Sequence, residues 1–168
     1  MLKWLWILAV AILSACASYS GGNLKVGEAV LEDVLREMGQ PAMRWKDADG
    51  SVQLAYPHGP NGYQTYMARI GQNGKLQSIR NVLDPKDFAH IQPGMSKEQV
   101  LRILGPSEPS KTVYFKVRDE LVWDWRYQLV PGGAAHFLVL FDATAGTVRT
   151  AMTQIEEPGL PDPGGGPQ

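Results

Sequence analysis

Cysteine is almost missing from this sequence. Cys16 stands alone among 168 residues, so no intramolecular disulfide can staple the fold. The three histidines, His58, His90 and His136, lie far apart in the chain, without the close spacing that metal-ligand sets show. Charge of either sign is not in excess: 16 Lys and Arg against 17 Asp and Glu leave a net charge of −1, which offers no electrostatic case for nucleic acid. No G-x-S-x-G elbow, phosphate-cradling loop or H-E-x-x-H helix occurs. The apolar run at residues 4–13 falls short of the roughly 20 residues a membrane-crossing helix needs. What is present is a hydrophobic content of 44%, enough to close the core of one medium or two small domains.

The chain is organised around residues 91–106. Ser96 is a good N-cap, and Gln99, three residues on, completes a capping box. Met95 and Val100 occupy the positions of a hydrophobic staple. Val100, Ile103 and Leu104 fall on one helical face, Gly105 suits the left-handed cap, and Pro106 forbids further helix. A related segment lies 66 residues upstream. Val34-Leu35-Arg36-Glu37-Met38-Gly39 matches Val100-Leu101-Arg102-Ile103-Leu104-Gly105. Farther on, Tyr56 aligns with Tyr127, Tyr66-Met67 with Phe137-Leu138, Ile70 with Phe141 and Gly74 with Gly146. The same order in both halves reads as an internal duplication.

Residues 1–15 read as a targeting segment: Lys3 supplies positive charge and residues 4–13 the apolar stretch. Leu13-Ser14-Ala15-Cys16 resembles a lipobox, in which the Cys16 thiol is acylated and becomes the mature N-terminus. Ala17 rather than Asp after it favours the outer membrane by the same resemblance. Residues 16–23 would then be a tether that keeps the folded part near the membrane.

In the first half, Leu31, Val34, Leu35 and Met38 form a helical stripe without a strong N-cap. Asp49-Gly50 and Asn73-Gly74 are hairpin turns between alternating runs around 52–56, 63–70 and 76–82. Asp84-Pro85 opens a short helix in the second half, ahead of the capped one. Strands are expected near 112–117, 121–127, 135–141 and 147–153. The fold class is therefore α+β. Two tandem units, 24–83 and 84–157, each place one or two short helices on an antiparallel β-meander, and a Pro- and Gly-rich tail covers 158–168. One face of each sheet is expected under its helix and the other left for solvent or a partner.

Pro93-Gly94-Met95-Ser96-Lys97-Glu98-Gln99-Val100-Leu101-Arg102-Ile103-Leu104-Gly105-Pro106, followed by Trp123-Asp124-Trp125-Arg126-Tyr127 and an apolar strand, resembles the SmpA/OmlA family of BamE-like outer-membrane lipoproteins. The likeness covers 84–155 well and 24–83 weakly. It implies a lipid-anchored protein at the periplasmic face of the outer membrane. Its role would be a non-catalytic scaffold in contact with the β-barrel assembly machinery or other envelope proteins, with no cofactor. The tandem arrangement is also similar to that of a β-lactamase inhibitor protein, which leaves inhibition of a periplasmic enzyme as the alternative.

Trp123, Trp125 and Tyr127 share one face of their strand and are expected to pack under the capped helix, which leaves Asp124 and Arg126 on the open face as candidate partner contacts. Tyr63 and Tyr66 fall on opposite faces, and Tyr63, after a Gly-rich loop, is the one expected to be exposed. Asp119, Glu120, Asp124, Asp142 and His136 form no nucleophile–base–orienter pattern, so no catalytic residue is assigned.

Overall fold

A computed structural model describes residues 20–58 and 62–156. The targeting segment, Cys16 and the tail at 158–168 lie outside the described residues. Two four-stranded antiparallel sheets follow one another along the chain. The first is the meander β1 (Met43–Lys46), β2 (Val52–Pro57), β3 (Thr65–Ile70) and β4 (Leu76–Asn81), preceded by helix α1 (Leu31–Met38). The second is β5 (Val113–Phe115), β6 (Glu120–Gln128), β7 (Ala134–Asp142) and β8 (Val148–Ile155), preceded by α2 (Pro85–Phe88) and α3 (Lys97–Leu104). The architecture is the expected α+β class. Among the described residues, no helix is long and apolar enough to cross a membrane.

Local signals act as the sequence implies. The Ser96 hydroxyl accepts from the Gln99 N–H at 3.2 Å, and the Gln99 side chain accepts from the Ser96 N–H at 2.8 Å. The Asp84 carboxylate accepts from the Lys86 N–H at 2.8 Å, with Pro85 at the first helical position. Helix α1 lacks such a cap. Val30 precedes it with no side-chain acceptor, and only the return bond is made, from the Val30 N–H to Asp33 Oδ2 at 3.0 Å.

The two halves share more than element order. Both eight-residue helices end on a glycine of positive φ, Gly39 at 79° and Gly105 at 73°. The residue before each helix bridges to the residue after the last hairpin glycine: Val30 to Lys75, and Ser96 to Thr147. Each meander has a register shift at its last pairing, at Arg69/Ile70 and at Leu140/Phe141. The central pairing differs, since Tyr56 faces Tyr66 whereas Tyr127 faces Ala135, two residues short of Phe137.

One expectation is overturned. The second face of the first sheet is not left open. Strand β2 is buried from Val52 through Tyr56 without alternation, as a strand covered on both sides must be. Leu54, Tyr56, Ala68 and Ile70 face α1, packing with Val34 and Met38. Ala55, Met67 and Val82 form a separate cluster on the opposite face. There the backbone of α3 docks, with the buried Gln53 amide donating to the Arg102 carbonyl at 2.6 Å and Arg102 Nη1 bonding Asp47 at 2.6 Å. The other side of α3 presents Val100 and Leu104 to Trp125, Phe137, Val139 and Phe141 of the second sheet. The layers therefore run α1, first sheet, α3, second sheet.

Candidate interaction surface

Among the described residues, one sheet face lies under no helix or second sheet: the face of β5–β8 turned away from α3. Which residues line it follows from alternation. Trp125 and Tyr127 are buried on the α3 side, where Trp123 packs edge-on to Trp125 and Phe141 with ring centroids 6.1 and 4.7 Å apart. The predicted aromatic packing holds. The intervening residues Val122, Asp124 and Arg126 go to the other face, opposite Leu140, Leu138 and His136 of β7.

That face has two parts. Toward its β5 end, Val113, Phe115, Val122, Leu138, Leu140 and Met152 line a trough of about 330 Å³, an apolar floor on a surface where scattered single apolar residues would be the norm. Arg118 closes one side, its guanidinium 4.3 Å from the Phe115 ring centroid and 2.9 Å from Glu120. At the other end runs a chain of polar side chains. The Tyr63 ring lies under the Arg126 guanidinium at 4.4 Å. Arg126 grips Glu156 with two nitrogens, one at 2.7 Å. Glu156 Oε1 stands 2.8 Å from His136 Nε2, off the line of a hydrogen bond. His136 Nδ1 meets both Asp124 oxygens at 2.8 and 2.9 Å. The Arg126 hydrogen bond holds the Glu156 carboxyl below its ordinary range, burial opposes it, and the charges of Arg126 and His136 add to the lowering.

Three sequence expectations change here. Asp124 is on the open face as predicted but is only 6% exposed, because His136 covers its carboxylate and the turn Pro109–Lys111 crosses its backbone, where the Glu108 N–H donates to the Asp124 carbonyl at 3.1 Å. It holds the surface from beneath and does not present a free charge. Arg126 is half-buried and engaged by Glu156 and Tyr63. Tyr63 is half-buried too, because β3 starts at Thr65, which leaves Tyr63 in the preceding loop and free to lean onto the second sheet. Tyr66 packs against the first core. His136 is 1% exposed, and its pairing with Asp124 of β6 and with Glu156, the residue after β8, carried no local signal in the sequence.

The arrangement is poorly suited to catalysis. Asp124 and His136 make the orienting half of an acid–base relay, but the other ring nitrogen faces a carboxylate rather than a hydroxyl or thiol, and no substrate reaches a ring so enclosed. Of the other carboxylates singled out in the sequence, Asp119 accepts from the Thr144 N–H at 3.2 Å, Glu120 pairs with Arg118 at 2.9 Å, and Asp142 accepts from the Ala145 N–H at 2.7 Å and from Arg149 at 2.8 Å. Among the described residues, no group of His, Cys, Asp and Glu could hold a metal.

Residues 80–147 match the family model of the outer membrane protein assembly factor BamE domain. The match begins in β4, takes in α2, α3, β5, β6 and the whole of β7, ends at the residue before β8, and spans less than half of the chain. No curated protein matches the chain at a significant level. The BamE-matching stretch thus carries the capped helix, the buried aromatics, Asp124, Arg126 and most of the trough. Tyr63 comes from the first half of the chain, and Met152 and Glu156 follow the matched region.

Proposed function

We propose that this chain is a non-catalytic contact module of the outer membrane that assists assembly of β-barrel proteins, held at the periplasmic face by acyl groups on Cys16. The match of residues 80–147 to the BamE domain carries this reading. The open face of the second sheet supports it, since an apolar trough beside a fixed polar row suits a protein partner. Tyr63 and Arg126 would form the polar rim of that contact, and Asp124 would keep His136 and the rim in register from below.

We also read the units 24–83 and 84–157 as duplicated, with the first now serving as a platform that clamps α3. The paired bridges, the glycine caps and the matched register shifts support that reading.

Cross-linking in native membranes followed by affinity purification tests the assembly role. Subunits of the barrel-assembly machinery should be recovered, and deletion should lower barrel levels and raise detergent sensitivity. Recovery of none of these subunits, with unchanged barrels, rules the role out. Anchoring has a separate test: mass spectrometry of the mature chain should find an acylated Cys16 at its N-terminus, and Cys16→Ala should release the protein from membranes.

A further inference from the structure

The outer edge of the second sheet is a long row of unpaired main chain. The Glu156 N–H donates to the Ala134 carbonyl at 2.9 Å, so the even-numbered residues of β8 turn their backbone toward β7. Ala151, Thr153 and Ile155 then aim theirs outward. At the start of the strand the outward groups are used, because Val148 exchanges bonds of 2.8 Å with Met95 and Gly94. Beyond it, among the described residues, none reaches that edge, and residues 152–155 are all exposed.

Sheet edges of this kind normally carry protection: brevity, a charge, a proline or a bulge. The other edges have it. Strand β5 is three residues long and runs into the turn Lys116–Arg118; β1 carries Arg44 and Lys46; β4 carries Arg80, tied to Asp87 of α2. From Thr150 to Ile155 there is neither charge nor proline, and the register shift lies upstream. Met152 and Ile155, 48% and 63% exposed, add apolar surface to the same strip.

We propose that β8 pairs antiparallel with β8 of a second copy across a two-fold axis at Thr153, joining two second sheets into one continuous sheet. This register sets outward-facing residues against outward-facing residues, Ala151 opposite Ile155 and Thr153 opposite itself, and each such pair exchanges two main-chain bonds. Small meets large on one face, Thr meets Thr at the axis, and Met152 lies beside Gln154 on the other face. No like charges oppose each other, and the Arg149 end of one strand runs toward the Glu156 end of the other. That self-complementarity favours a second copy over an unrelated strand, and the two-fold closes the assembly as a dimer. The inference is independent of the assembly role.

The test is the mass of the full chain in detergent, by light scattering and sedimentation over a range of concentrations. Wild type should be a dimer that dissociates on dilution. Thr153→Lys and Thr153→Glu each set like charges against each other at the axis and should raise the dissociation constant by about tenfold, with circular dichroism unchanged. Mixing the two variants should restore the dimer. A wild type monomeric throughout, a dimer indifferent to both charges, or a mixture that stays dissociated overturns the proposal.

Discussion

Gly105 rests against Thr65 of the other sheet: a β-carbon at Gly105 would lie 2.7 Å from Thr65 Cγ2. The same glycine closes α3, and its carbonyl accepts from the Trp125 indole at 3.3 Å. One residue thus ends a helix and joins two sheets. Gly39 holds the equivalent place after α1 with φ 79° but has open space around it. Gly39→Ala should therefore cost only its backbone conformation, a positive φ with extended ψ that is nearly confined to glycine, about 1–3 kcal/mol. Gly105→Ala adds a clash and should cost about 2–4 kcal/mol. Denaturant unfolding of both variants checks this, and equal losses would refute the contact.

Gln53 fills a gap that Pro106 opens. The Arg102 carbonyl would be bonded within α3 by the N–H four residues on, and proline has none. The Gln53 amide supplies the donor at 2.6 Å. Gln53→Leu keeps the volume and removes the donor, so it should cost about 1–3 kcal/mol. A loss of a few tenths would mean that another group satisfies this carbonyl.

Acid should loosen the polar row. The folded state holds the Glu156 carboxyl below its ordinary 4.5, chiefly through Arg126. Its contribution is therefore fully present above about pH 4.5 and lost as pH falls through the lowered value. The gap between wild type and Glu156→Gln in thermal midpoint should be a few degrees at pH 7 and shrink toward pH 3. A gap that stays constant across this range contradicts the assignment.

Asp124 acts from beneath the surface. Asp124→Ala leaves His136 Nδ1 buried without its acceptor and should cost about 1–3 kcal/mol. Leu138→Lys, at a half-buried trough position, should keep the fold and lower cross-linking to assembly-machine subunits several-fold. Cross-linking lost in Asp124→Ala but not in Leu138→Lys would move the contact away from the trough.

Much of this molecule is written in short segments. Ser96 with Gln99, Asp84 with Pro85, and the glycines at 39, 50, 74 and 105 specify helix ends and turns through groups a few residues apart, so the elements were legible before any packing was known. Alternation in β6 likewise foretold that Trp125 and Tyr127 would be buried and Asp124 and Arg126 would face the other way.

The stacking of layers was not legible. The β2 sequence Val-Gln-Leu-Ala-Tyr looks like a strand with one wet face, yet Gln53 and Ala55 are covered by a helix about fifty residues away. Nor could alternation say that Asp124 would be sealed under His136, or that Tyr63 would lie on Arg126. A period of two assigns a side chain to a face. Whether that face meets water, a helix or a charge from another strand depends on how the sheets stack, and stacking sums many weak contacts between residues remote in the chain.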